Sequence, residues 1–208
     1  DSDGALRSFE TLDDDVRAAL DALHAEFPAL RGSVIFGLCD AASAALMYCL
    51  RDKRLAGLIL ANPWVHSEAG AAKAYVKHYY WRRFLQPGFW RKVLSGEFDA
   101  AGSLRDLLAK LRASVSGAVA PRGSFRERML EGLSGFGGPV LVQVSGRDLT
   151  AAEFMDLCQS DVRWRSALDR SNVVVRRYDS ADHTFAAAGA FNTAVADCTA
   201  WLDALPGR

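Results

Sequence analysis

No stretch of the 208 residues approaches the roughly 18 consecutive apolar residues that a membrane-spanning helix needs. Nor is there an excess of either charge. The 25 Lys/Arg balance the 25 Asp/Glu, so overall charge gives no reason to expect nucleic acid as a partner. Cysteine is sparse, with four residues at positions 39, 49, 158 and 198. They form no CxxC pair and no Cys/His cluster at metal-ligand spacing, which argues against a disulfide framework and against a zinc site. No metal or other cofactor is expected. Thiols this scattered read as reduced, and a cytoplasmic location is the expectation. Internal repeats are lacking too.

What remains is an ordinary globular composition. Half of the residues are apolar and 24% are charged, enough for one domain with a sizeable core. Thr11 to Phe27 reads as a helix. Its apolar residues Leu12, Val16, Ala19, Leu20, Leu23 and Phe27 recur at helical spacing, Thr11 and Asp14 resemble a capping box, and Pro28 ends it. Strand-like runs follow at Ser33–Phe36, Leu58–Leu60, Val140–Val144 and Val173–Tyr178, with helices expected from Ala41 to about Leu50 and from about Ala187 to Leu205. Strands alternating with helices predict a mostly parallel α/β sheet, and functional residues of such sheets gather at the carboxyl ends of the strands.

The interval 65–138 interrupts this alternation. It holds twelve Lys/Arg against six Asp/Glu and a run of aromatics from Tyr75 to Trp90. It is expected to be a helical cap inserted between two parts of the core, 1–64 and 139–208. An extra helical layer with a solvated basic face is the plainer alternative. Within or beside it, Trp64, His78 and Tyr79 are candidates to touch substrate.

Three chemistry-bearing residues each come just after a predicted strand. Gly37-Leu38-Cys39-Asp40-Ala41 has the form of a nucleophile elbow, in which small residues on either side let strand and helix approach closely. A thiol at a helix N-terminus is expected to have a lowered pKa, and the Asp40 N–H is the natural half of an oxyanion hole. His183, in Asp182-His183-Thr184-Phe185, is the candidate base. Asp148 is the candidate acid that orients it, with Glu153 and Asp182 as rivals. The other three cysteines read as core packing and His24 as a solvated surface residue.

The elbow Gly37-Leu38-Cys39-Asp40-Ala41-Ala42-Ser43-Ala44-Ala45, together with Asn62-Pro63-Trp64-Val65, Ala74–Tyr80, Phe89–Lys92, Ser145–Asp148 and Asp182–Phe185, resembles exosortase A system-associated hydrolase 1. The resemblance runs over most of the chain. It implies an α/β-hydrolase fold, a catalytic triad of Cys39, Asp148 and His183, and an association with bacterial exopolysaccharide and exosortase systems. A cysteine in this elbow also resembles dienelactone hydrolase. Asp1-Ser2-Asp3-Gly4 looks like the end of the loop after the fourth strand of such a fold. The earlier strands and the second oxyanion donor are therefore expected to be missing, leaving these 208 residues weakly active or inactive.

The expected function is nucleophilic attack on an ester or thioester of a small-molecule or lipid-like acyl substrate. The alternative is a hydrolase-like binding protein without catalysis. Without its preceding strands, the first strand is expected to expose an edge through which the chain could self-associate.

Overall fold

The four apolar runs form four strands: β1 (Ser33–Leu38), β2 (Leu55–Ala61), β3 (Val140–Ser145) and β4 (Val173–Tyr178). They pair in sequence order, all parallel, into one sheet. Between and around them lie α1 (Asp13–Glu26), α2 (Asp40–Tyr48), α3 (Phe125–Gly135), α4 (Leu149–Ser160), α5 (Val162–Leu168) and α6 (Ala190–Asp203). The structure is a computed structural model that describes residues 8–65, 123–187 and 189–205.

The period-2 alternation of the strands divides the core. Leu58, Leu60, Val140, Val142 and Val144 face one way and pack with α2, α3, Phe154 of α4 and Trp164 of α5. Ala61 faces the other way and joins Tyr178, Phe185 and α6 residues Ala190 and Ala194. On that second face Gln143, fully enclosed, donates through Nε2 to Tyr178 Oη (2.9 Å) and to the Ala194 carbonyl (3.0 Å). This offsets the cost of a buried amide and pins α6 to the sheet. Helices α2 and α3 approach so closely that a Cβ on Gly132 would overlap the Leu46 carbonyl oxygen.

Two local expectations are corrected. Thr11 does not cap α1; its hydroxyl donates to the Ser8 carbonyl (2.9 Å) within a 3-10 turn, Phe9–Thr11, and α1 starts at Asp13. His24 is not simply solvated, because its Nε2 shares a 2.9 Å hydrogen bond with Ser33 Oγ at the start of β1.

Of the interval 65–138, Val65 and the apolar face of α3 (Met129, Leu130, Leu133) belong to the core. Residues 66–122 lie outside the described residues, and with them His78 and Tyr79. Arg126 of α3 donates to the Val65 carbonyl and pairs with the buried Glu153 of α4 at 3.4 Å. No helix among the described residues is long and apolar enough to cross a membrane.

Candidate active site

Cys39, Asp148 and His183 follow the carboxyl ends of β1, β3 and β4 respectively, so parallel strands of one sheet bring all three to the same end of it. Cys39 lies between β1 and α2 with φ +60° and ψ −120°. That conformation is costly for a residue with a side chain and is held only where its surroundings over-determine it. They do so here. The Cys39 N–H donates to the Ala61 carbonyl (2.9 Å). The Cys39 carbonyl accepts from Ala42 N (3.1 Å), Ser43 N (3.3 Å) and Trp64 N (3.2 Å). The tight crossing also needs Gly37, where a Cβ would come within 2.6 Å of the Ala41 and Ala42 backbone.

Ser43, fully buried in α2, ties this turn to the chain after β2. Its hydroxyl donates to the Trp64 carbonyl at 2.7 Å and accepts from Trp64 N–H at 3.0 Å. The Trp64 indole stacks on Phe125 (centroids 5.6 Å apart, 18° between planes) and meets Phe9 edge-on at 5.1 Å. Trp64 is therefore placed beside the elbow by an aromatic trio.

His183 Nδ1 is 3.0 Å from Asp148 Oδ2. The histidine side chain is 39% exposed and the carboxylate 9%, so the ring is open to a reactant while its partner is shielded. Asp148 is also the N-cap of α4, where the same oxygen accepts from Ala151 N–H at 3.0 Å. Neither rival acid is on the imidazole nitrogen: Asp182 caps its own turn by accepting from Ala186 N–H (2.8 Å), and Glu153 is paired with Arg126. The two loops are stitched together by Gly146 N–H to the Tyr178 carbonyl (2.8 Å) and Arg147 N–H to the Ala181 carbonyl (3.0 Å).

The expected lowering of the Cys39 pKa is overturned. Burial pushes the thiol up, the hydrogen bond from the Asp40 backbone opposes this in part, and the carboxylates of Asp40 and Asp148 add to the rise. The helix-terminus contribution is present but outweighed by lost solvation and by two negative neighbours. Burial raises Cys49 and Cys158 further, both to about 12. Among the described residues no group of His, Cys, Asp and Glu is arranged to hold a metal ion.

Asn62, which the sequence does not mark as a site residue, has φ +46° and no exposed surface. It bonds to Ser145 and to the backbone of His183. A polar residue before proline at the end of an apolar strand was the signal available for it. The linking role of Ser43 was masked by its run of small neighbours.

No family model matches the chain, and no curated protein matches it. Solved structures do. An esterase of Pyrococcus furiosus superposes with a TM-score of 0.57 at 12% identity, over 99% of this chain and 66% of that one. A fungal esterase of Rhizomucor miehei gives 0.56 at 16% identity, over 98% and 63%. The esterase domain of a Rhodothermus marinus protein gives 0.53 at 14%, over 91% and 67%. The chain spans less than two thirds of the Pyrococcus furiosus esterase. With its parallel strand order, its elbow after β1 and these likenesses, the chain has the α/β-hydrolase fold.

Proposed function

We propose that this protein is a hydrolase that cleaves an ester or thioester with Cys39 as nucleophile, His183 as base and Asp148 as the acid that orients it. The observation carrying this is the 3.0 Å contact between His183 Nδ1 and Asp148 Oδ2, at the same end of the sheet as a strained Cys39. Asp148 accepts a hydrogen bond from Nδ1–H, which leaves the Nε2 lone pair as the base. The raised thiol favours a neutral Cys39 in the resting protein. Proton transfer to Nε2 then accompanies attack, rather than a preformed thiolate waiting for substrate. Sulfur bonds to the carbonyl carbon, and the Asp40 N–H faces the oxyanion. Collapse breaks the bond to the leaving alcohol or thiol, which takes the proton from Nε2. Water, deprotonated by the same nitrogen, then cleaves the thioester on Cys39 and returns the free thiol.

Trp64, His78 and Tyr79 are proposed to contact the acyl group, a small-molecule or lipid-like one. Support for Trp64 is its place beside the elbow. The segments resembling exosortase A system-associated hydrolase 1 support a role alongside bacterial exopolysaccharide and exosortase systems.

The test pairs turnover with thiol chemistry. Weak hydrolysis of p-nitrophenyl butyrate and of a short acyl thioester is expected, with loss in Cys39→Ala and a fall of about 10²–10⁴-fold in His183→Ala. The second reading, a ligand-binding protein without catalysis, is favoured by the raised Cys39 thiol. Absent turnover, together with a Cys39 alkylation rate indifferent to His183→Ala, would decide for it.

A further inference from the structure

Residues 61 and 62, at the end of β2, touch all three chemistry-bearing loops. The Ala61 carbonyl holds the Cys39 N–H at 2.9 Å. The Asn62 side chain does the rest. Its Nδ2 donates to Ser145 Oγ (2.9 Å) and to the His183 carbonyl (2.9 Å), and its Oδ1 accepts from Ser145 N–H (2.8 Å). Ser145 is the last residue of β3, three positions before Asp148. One fully buried amide therefore bridges the acid loop and the base loop, 83 and 121 residues away in sequence.

The backbone suggests a purpose beyond packing. Asn62 has φ +46° and precedes Pro63, and the residue before a proline is already restricted in its backbone. Asn tolerates the left-handed region better than most residues, and the bonds from its side chain offset the strain. The bond to His183 is made to its backbone, at the root of the ring that meets Asp148. A shift there of about 1 Å is enough to cost on the order of 10²-fold in a positioned reaction.

We propose that Asn62 is a positioning residue that, through its hydrogen bond to the His183 carbonyl, holds the imidazole in register with Asp148 and Cys39. This rests on the hydrolase reading for its meaning in catalysis, while the placement of His183 by Asn62 can be measured without turnover. Asn62→Gly removes the side chain and suits the positive φ. Asn62→Asp keeps the shape and the acceptor for Ser145 N–H but has no donor for the His183 carbonyl.

The experiment reads the neutral tautomer of His183 by long-range ¹H–¹⁵N correlation, assigned by its loss in His183→Ala. Thermal melting and kcat and KM on p-nitrophenyl butyrate are measured alongside. The wild type is expected to hold the Nδ1–H form. Both variants are expected to shift toward the Nε2–H form, with kcat down by about 10²-fold and KM little changed. Retention of the Nδ1–H form and of kcat in a variant that still melts cooperatively overturns the proposal. So does loss of cooperative melting in both variants, which makes Asn62 a residue of the core alone. A wild type without turnover overturns the hydrolase reading instead, and the tautomer still decides for Asn62.

Discussion

Burial raises the Cys39 pKa, one backbone donor lowers it in part, and the carboxylates of Asp40 and Asp148 add to the rise. Asp40 contributes on both sides, its N–H lowering and its side-chain charge raising. Asp40→Asn keeps the amide and removes the charge. The alkylation profile of Cys39 with iodoacetamide, followed by mass spectrometry, is therefore expected to move to lower pH. An unmoved or upward-shifted profile contradicts this account of the thiol. At the other end of the pair, Asp148→Asn turns the acceptor on Nδ1 into an amide that can stabilise the wrong tautomer. A loss on the order of 10⁴ in kcat is expected, with kcat and KM on a chromogenic ester as the check.

At the scale of elements, the β1–α2 crossing is a tight requirement of the site. Gly37→Ala forces a Cβ to within 2.6 Å of the Ala41 and Ala42 backbone, which has no flexible side chain to give way. Helix α2 must move off β1, at a cost of about 1–3 kcal/mol or more. Urea unfolding should register that loss, with Cys39 alkylation changed even in molecules that remain folded. The sequence made this crossing readable, since Gly37, Cys39 and Ala41 lie at fixed spacing between an apolar run and a run of small residues. It placed all four strands for the same reason; Val173–Tyr178 agrees at both ends. β2 starts three residues before the apolar run Leu58–Leu60, because Ala56 and Gly57 carry little apolar signal. Long-range polar links were hidden. Nothing local in Asn62, Ser145 or His24 says which distant group each will meet, because that depends on strand order and register. The sign of the Cys39 shift is hidden from the sequence for a related reason: the helix end is local, whereas burial and the Asp148 charge come from the assembled fold.

Across the whole molecule, two buried thiols make stability depend on alkaline pH. Cys49 and Cys158 have an ordinary value of 9.0 and are pushed up to about 12 in the fold. The folded chain keeps these protons after the unfolded chain has released them. Their contribution is complete below pH 9.0 and is lost as pH climbs toward about 12. Each thiol gives a slope of up to about 1.4 kcal/mol per pH unit. Urea midpoints should fall through that window, and the fall should flatten in a Cys49→Ala/Cys158→Ala double variant. The two sheet edges differ as well. The β4 edge carries exposed Arg176 and Arg177, whereas β1 carries Phe36, 59% exposed, and among the described residues it pairs on one side only. Concentration-dependent association is therefore expected in sedimentation velocity and should weaken in Phe36→Lys, since a charge beside an open edge opposes pairing. Finally, the guanidinium of Arg126 on the carbonyl of Val65 joins the two points between which residues 66–122 depart and return. The core holds those two points together, and the entropic cost of closing the intervening sequence grows only slowly with its length. Lengthening or shortening that sequence is therefore expected to leave the frame around Cys39, Asp148 and His183 in place, so its length is free to vary where the lengths of the strands are not.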